Sequence, residues 1–229
     1  MDLNSIALPP APALPSLAWG GVQALQRLRH WVPVRTLAER HRPAVRTHLL
    51  ALSAEDRQRR FGHSLSDERV RAYADQLDFN LDLIFGVFDR RLRLVALGHL
   101  ALAQGADPVT GQGHGELGLS VLATARGQRL GSQLFEHAVT HARNRGVHSL
   151  HIHLARDNAP MLAIVQAAGA HITHEGHEAQ ALLTLPGLTL GSQLGELLGA
   201  RAAELDFRLK VQSLRVPAPT RGTSPPPLG

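Results

Sequence analysis

The segment SVLATARGQRLGSQLF, residues 120–135, combines residue types and spacing that suit the binding of an anion. Its apolar beginning predicts a strand, and apolar positions at helical spacing from Leu130 onward predict a helix. Gly127 before the helix, and Gly131 and Ser132 in its first turn, are small enough for a sharp turn and for the close approach of a ligand to the peptide groups. Because the first amides of a helix lack intrahelical partners and lie at its positive dipole end, this turn suits a pyrophosphate.

The hexapeptide RGQRLG, Arg126 to Gly131, resembles the pyrophosphate-binding signature Q/R-x-x-G-x-G/A of the Gcn5-related N-acetyltransferases, the GNAT family. Arg129 stands at the position where that family usually has glycine. Asn158 follows the segment SLHIHLA and opens the next predicted helix, as an asparagine does in the family. The likeness covers about residues 31–185. Its N-terminal part is similar to the GNAT domain found at the C-terminus of protein lysine acetyltransferases.

The resemblance implies that acetyl-CoA, or another acyl-CoA, is the co-substrate. The amides of residues 127–132 are expected to receive the pyrophosphate, and the strand edge of residues 120–122 to pair with the pantetheine arm. Arg126 and Arg129 either add charge-assisted bonds to phosphate or are simply solvated. The expected cofactor-binding residues are Ser120, Val121, Leu122, Arg126, Gly127, Gln128, Arg129, Leu130, Gly131, Ser132 and Asn158.

Acetyl transfer by direct attack of an amine on a thioester needs a base for the ammonium and an acid for the leaving thiolate. Glu116 is the candidate base, because it begins the strand expected to carry the cofactor and many relatives use a carboxylate there. The alternative is a solvated glutamate at a strand end. The tyrosine that relatives carry seven residues after the asparagine is replaced by Val165, and the one tyrosine of the chain, Tyr73, falls in an early predicted helix.

Three classes of function remain open on this sequence. The first is an acyl-CoA-dependent N-acyltransferase that modifies a primary amine of a small molecule or protein. The second, favoured by the missing tyrosine, is a non-catalytic acyl-CoA-binding sensor. The third, a nucleic-acid binder, has only the arginine content in its favour; an aromatic content of 4% offers few stacking platforms, and the sequence shows no recognised DNA-binding module.

The histidines raise the question of a metal site. His151 and His153 are two residues apart in a predicted strand, so both face one side, and two such side chains are able to ligate zinc. The chain has no cysteine, and no further ligand stands at a diagnostic spacing. We therefore expect no metal and interpret these residues, with His171, His174 and His177, as surface or cleft histidines.

The pattern of elements predicts the fold around these residues. Ser53 and Ser66 have the spacing of helix N-caps, and the runs LDLIFGVF and RLRLVALGHLAL, split by DRR, predict an antiparallel hairpin. Turn residues predict a loop over residues 104–115, and the strand, helix, strand, helix order after it predicts a parallel pair. HITHEG and AQALLTL predict a closing hairpin. The expected fold is α/β (α+β), a mixed and mostly antiparallel central sheet flanked by helices.

Composition sets the outer boundaries. Proline-rich residues 1–30 and 213–229 are expected to be disordered tails, and residues 31–212 to form the single domain. Leucines at helical spacing predict an extra C-terminal helix over about residues 189–212, whose apolar stripe is core or the face of a homodimer. No apolar stretch is long enough to span a membrane and no secretory signal is evident, so we expect a soluble, cytoplasmic protein.

Overall fold

In the computed structural model, the described residues form seven strands and five helices before the C-terminal helix. The structure describes residues 32–106, 113–176, 178–185, 201–208 and 210–211, so the two predicted tails lie outside the described residues. The strands are β1 (Arg35–Thr36), β2 (Leu83–Phe88), β3 (Leu94–Ala106), β4 (Gly113–Val121), β5 (Val147–Ala155), β6 (His171–Glu175) and β7 (Glu178–Thr184). The helices are α1 (Arg42–Leu50), α2 (Ala54–Phe61), α3 (Asp67–Gln76), α4 (Leu130–Asn144) and α5 (Ala159–Ala167).

The helix starts follow from the capping residues. The Ser53 hydroxyl accepts a hydrogen bond from the Asp56 amide at 3.1 Å, and the Ser66 hydroxyl one from the Arg69 amide at 3.4 Å. Both bonds satisfy an amide that has no partner inside its helix, which confirms the two predicted N-caps. A glycine with a left-handed backbone, Gly62 at φ +77°, then ends α2.

The strands form one mixed sheet in the order β1-β2-β3-β4-β5-β7-β6. Every described pair is antiparallel except β4 and β5, which run parallel. The predicted hairpins and the predicted parallel pair are therefore confirmed. Helices α1 and α3 cover one core, and α4 and α5 pack over the other.

Strands β4 and β5 separate halfway along their length. Their pairing runs from Gly113 opposite Val147 to Glu116 opposite His151, whereas β4 continues to pair with β3 as far as Val121. Within the described part of the chain, the β5-facing edge of residues 117–121 therefore has no neighbouring strand. This opening in the sheet is the place where a ligand can reach backbone hydrogen-bonding groups.

One prediction about the elements needs correction. The loop expected over residues 104–115 is shorter, because β3 extends to Ala106 and β4 begins at Gly113. The first strand is Arg35–Thr36, and a 3-10 turn, Glu39–His41, follows it. The C-terminal helix is confirmed over residues 201–208 and 210–211, while residues 186–200 lie outside the described residues.

None of the helices in the described part of the chain combines the length and the apolar character needed to cross a membrane.

Candidate functional site

A cleft of about 640 Å³ opens where β4 leaves β5. Its walls come from α2, from the end of β4, from the turn before α4 and from the start of α5. Most of the predicted cofactor-binding residues line it, namely Ser120, Val121, Arg126, Gly127, Arg129, Leu130, Gly131, Ser132 and Asn158. The predicted residues Leu122 and Gln128 are not among the lining residues. The Leu122 amide instead donates to the Val95 carbonyl, on the β3 side.

The turn before α4 presents backbone amides to this cleft. Gly127 has a left-handed backbone with φ +77°, and no atom lies within 4 Å of the position its Cβ would take. Arg129, the N-cap of α4, is also left-handed at φ 58°, and no side chain caps this end of the helix. The first turn of α4 contains no acidic residue. The amides of Leu130, Gly131 and Ser132 are therefore available to an anion at the positive end of the helix.

Two ion pairs join α2 to the opposite wall of the cleft. The Arg126 guanidinium binds the carboxylate of Asp56. The Arg59 Nη2 atom lies 3.1 Å from Asp157 Oδ2 and 2.6 Å from Glu55 Oε1. Two arginines beside the anion-binding amides are thus held by carboxylates of the protein itself. A phosphate in the cleft would compete with these carboxylates for the same guanidinium groups.

The Ser120 side chain points away from the cleft opening toward α1. Its hydroxyl lies 2.8 Å from His48 Nε2, while His48 Nδ1 lies 2.9 Å from the Leu94 carbonyl oxygen. Since a carbonyl only accepts, Nδ1 carries the proton and Nε2 accepts from the serine hydroxyl. Burial lowers the pKa of His48 to about 4, so the ring is neutral at pH 7. Ser120 can therefore offer a ligand its backbone, but its hydroxyl is already engaged.

The predicted base, Glu116, is exposed on β4 at the last position paired with β5. It does not line the cleft walls. By strand alternation it shares a face with Gly118 and Ser120, the face covered by α1 and α2. The negative charge of Glu116 weakly opposes the lowering of the pKa of the nearby His99, which burial causes.

The sequence did not predict a hydrogen-bonded chain of four polar side chains on this same face of the sheet. His99 Nε2 lies 2.9 Å from Asp82 Oδ2, and its Nδ1 lies 2.7 Å from the Tyr73 hydroxyl. Arg60, a lining residue of the cleft, donates from Nη2 to the same hydroxyl at 3.1 Å. Burial lowers the pKa of His99, and the hydrogen bond to Asp82 opposes that shift. The four residues come from different elements, so their spacing in the sequence does not predict that they meet. The only feature of the sequence that singles out one of them is that the chain has a single tyrosine, Tyr73.

The start of α5 matches its prediction closely. The Asn158 side chain accepts a hydrogen bond from the Met161 amide at 3.3 Å and caps the helix, while also lining the cleft. Val165, at the position of the expected tyrosine, is completely buried in the core. No acidic or basic group therefore replaces the tyrosine at that position.

The histidines of β5 and β6 do not assemble into a metal site. Over residues 32–106, 113–176 and 178–185, no three side chains of the metal-ligating types come close enough to hold an ion. The His114 and His151 rings approach to 6.0 Å in an edge-to-face contact, and Gln180 lies 3.4 Å from His151 Nδ1.

Comparison with known proteins agrees with this geometry. The model of the acetyltransferase (GNAT) family matches residues 49–170. Among solved structures, the GNAT domain of S. lividans PAT is similar at 18% identity and a TM-score of 0.55, over 66% of this chain and 89% of that one.

Two further solved structures share the fold. The GNAT-family acetyltransferase from Streptococcus pneumoniae is 13% identical at a TM-score of 0.53, over 68% of this chain and 100% of that one. The yncA protein of Salmonella typhimurium, solved with its cofactor acetyl-CoA, is 13% identical at a TM-score of 0.52, over 69% of this chain and 96% of that one. A search of curated protein sequences gave no match.

Proposed function

Because the chain belongs to the acetyltransferase (GNAT) family, we propose that it transfers an acetyl group from acetyl-CoA to a primary amine of a small molecule or protein by direct attack. One observation carries the proposal: the uncapped amides of Leu130, Gly131 and Ser132 line a cleft at the point where β4 leaves β5. An anion receptor beside a free strand edge matches a ligand with a diphosphate at one end and an amide-containing arm.

The residues present fit this ligand. The left-handed Gly127 and Arg129 turn the chain so that successive amides face the cleft, and the first turn of α4 holds no carboxylate that would repel a phosphate. The free edge of residues 117–121 offers backbone partners for the amide groups of the pantetheine arm. When bound, acetyl-CoA supplies the activated acetyl group as a thioester.

We assign Glu116 as the base that takes the proton of the acceptor ammonium. The support is its exposed position on the face of β4 that also carries Gly118 and Ser120, at the last position before β5 separates from β4. An exposed carboxylate reaches a proton on the acceptor either directly or through one water molecule. The remaining residues of the proposed cofactor site act by binding and orientation.

A charge placed in the first turn of α4 tests the proposed binding site. The Cβ of a residue at Gly131 would meet only Ile164 Cδ1, at the ordinary contact distance of 3.4 Å, so Gly131→Asp can fold, and a carboxylate is favourable near a helix start. Gly131→Asn is the matched neutral control. We expect calorimetric titration to show that the Asp variant binds acetyl-CoA at least about tenfold more weakly than the Asn variant, whose side chain has the same size and no charge.

Ligand-induced stabilisation gives an independent measurement. Acetyl-CoA at about 100 times its Kd should stabilise the folded protein by about 2.7 kcal/mol, which raises Tm in a thermal-shift assay. The absence of any shift at saturating acetyl-CoA, or equal binding by the Gly131→Asp and Gly131→Asn variants, would contradict the proposal.

A second candidate function is a sensor that binds acyl-CoA without turnover. The buried Val165, in place of a group able to protonate the thiolate, is the observation that favours it. Release of free thiol over a panel of amines distinguishes the two. A transferase releases CoA in proportion to acetylated amine, whereas a sensor binds acetyl-CoA and releases none.

A further inference from the structure

Among the described residues, Arg60 has no acidic partner, unlike the other two arginines of α2. Arg57 pairs with Asp67 at 2.7 Å, and Arg59 pairs with Glu55 and Asp157. No carboxylate of the described residues lies within 4.0 Å of the Arg60 guanidinium. Yet Arg60 is partly buried and lines the cleft. A positive charge that is partly desolvated and uncompensated attracts an anion to this wall.

The Arg60 guanidinium is also held in one place. Its Nη2 donates to the Tyr73 hydroxyl at 3.1 Å, and its central carbon lies 5.0 Å from the Phe61 ring and 5.9 Å from the Tyr73 ring. Tyr73 is in turn fixed by His99, which is fixed by Asp82. A charge that is already oriented needs no reorganisation when a negative charge develops beside it.

The Arg60 guanidinium, which extends from α2, lies against β4 at Gly118, and this position indicates which part of a bound ligand it would face. The guanidinium lies so close to Gly118 that a Cβ at that residue would be 2.1 Å away, so the absence of a side chain there is what admits it. A ligand arm that leaves the amides before α4 and follows the free edge of β4 backwards moves about 13 Å between Leu122 and Gly118, at about 3.3 Å per residue. The far end of the pantetheine arm carries the sulfur, so an arm on this path would bring the sulfur near Gly118.

We propose that Arg60 stabilises the thiolate of coenzyme A as it leaves. The inference rests on the proposed function. In the reaction, the amine nitrogen forms a bond to the acetyl carbon, the carbon–sulfur bond breaks, and its electron pair remains on sulfur. The proton of the amine goes to Glu116 or water. Because a guanidinium keeps its proton, Arg60 acts by charge alone, and Tyr73, His99 and Asp82 are positioning residues.

This assignment accounts for the missing acid. Val165 is buried among apolar side chains and has no proton to give. A thiol is already a moderately acidic group, with an ordinary pKa near 8.5, so a neighbouring cation is enough to let it depart as the anion.

The test measures the thiol of bound coenzyme A, and several groups around Arg60 are able to titrate or carry charge. They are His48, Asp56, Arg59, Tyr73, Asp82, His99 and Glu116. Burial lowers the pKa of both histidines, so they stay neutral at and above pH 7 and do not contribute a change in the alkaline range.

The experiment compares the affinities of coenzyme A and acetyl-CoA, whose sulfur is blocked, from about pH 6.5 to pH 9.5, with ultraviolet absorbance reporting the bound thiolate. If the pKa of the coenzyme A thiol is one unit lower when bound than when free, the affinity of coenzyme A relative to acetyl-CoA should rise about tenfold between the acidic and the alkaline end of this range. In Arg60→Met this gain in relative affinity should disappear. In Tyr73→Phe, which keeps the ring and removes the hydroxyl, it should fall by at least half. Arg71→Met, an exposed arginine on α3 outside the cleft walls, should keep the gain.

The outcomes separate the inference from the proposed function. If acetyl-CoA binds and the thiol of bound coenzyme A titrates at its ordinary pKa, or if the gain survives in both Arg60→Met and Tyr73→Phe, the role of Arg60 is wrong while the cofactor site stands. If neither ligand binds at all, both are wrong. A gain that is lost in Arg60→Met, reduced in Tyr73→Phe and kept in Arg71→Met supports the assignment.

Discussion

The Arg126 guanidinium binds the Asp56 carboxylate and thereby joins the turn before α4 to helix α2 across the mouth of the cleft. The Arg126 side chain is 49% exposed, so solvent screens the pair and its contribution to stability is small. Its consequence lies in binding: as long as Asp56 holds Arg126, a phosphate must displace that carboxylate to engage the same guanidinium.

Replacing Asp56 by asparagine should therefore strengthen binding of coenzyme A. The variant keeps the size of the side chain and the backbone amide of residue 56, which donates to the Ser53 hydroxyl. It removes the negative charge that competes with phosphate for Arg126. Since exposed ion pairs contribute about 0–1 kcal/mol, the expected decrease in Kd is at most about fivefold. Titration calorimetry measures it, with Glu68→Gln, an exposed carboxylate on α3 outside the cleft walls, as the control. Weaker binding by Asp56→Asn would mean that the pair organises the turn instead of competing with the ligand.

Arg129→Gly should stabilise the fold. Arg129 holds a left-handed backbone, φ 58°, which costs a residue with a side chain about 1–2 kcal/mol compared with glycine. The greater flexibility of glycine in the unfolded chain offsets part of this gain, so we expect a net increase of about 0.5–1 kcal/mol in the free energy of unfolding. Urea denaturation measures it. A decrease in stability would show that contacts of the arginine side chain outweigh the backbone strain.

The sequence predicts those structural features that depend on adjacent residues, and it does not predict those that depend on residues far apart in the chain. The caps at Ser53, Ser66 and Asn158 and the turn at Gly127 are visible because each depends on a few adjacent residues. The extension of β3 to Ala106 was missed because turn-forming residues there are overridden by pairing across the sheet.

The candidate site divides in the same way. The anion-binding turn is one continuous segment, so its residues were predicted together. The chain from Asp82 through His99 and Tyr73 to Arg60 joins residues as much as 39 positions apart in sequence, from Arg60 to His99, and exists only once the helices lie on the sheet. No spacing rule connects such residues. Likewise, strand alternation gave the face of Ser120 but did not indicate that His48 would occupy its hydroxyl.

Ser120→Ala should reduce stability without reducing affinity for coenzyme A. The substitution leaves the buried His48 Nε2 atom without its donor, and an unsatisfied buried acceptor costs about 1–3 kcal/mol. The backbone of residue 120, the part available to a ligand, is unchanged. Chemical denaturation and calorimetric titration of the same samples measure the two quantities. A large loss of affinity in a variant that remains folded would show that the hydroxyl itself contacts the ligand.

Stability should fall as the pH is lowered from about 6.5 toward 4. Burial lowers the pKa of His48 to about 4 and that of His137 to about 3, from the ordinary 6.5. Over this range the unfolded chain takes up protons that the folded chain excludes, so each histidine removes about 1.4 kcal/mol of stability per pH unit. Urea unfolding at several pH values measures this slope.

The share of His137 can be tested separately. Its ring packs 4.8 Å from that of Phe85, and its Nε2 atom is enclosed without a partner among the described residues. His137→Leu removes the titrating group and the unsatisfied atom together. We expect a smaller pH slope and no loss of stability at pH 7. Parallel pH profiles for the variant and the wild type would contradict the assignment.

Glu116→Gln should lower kcat and leave the affinity for acetyl-CoA nearly unchanged, because Glu116 is exposed and lies outside the cleft walls. Loss of a general base typically costs about 10²–10⁴-fold in rate. The deficit should shrink as the pH rises toward the pKa of the acceptor amine, near 10 for a lysine-like amine, since the acceptor then arrives already neutral. Thiol-release assays across pH measure both effects, with Glu136→Gln, an exposed carboxylate on α4, as the control. Unchanged turnover, or a deficit that is constant with pH, would remove Glu116 from the mechanism and leave deprotonation to solvent.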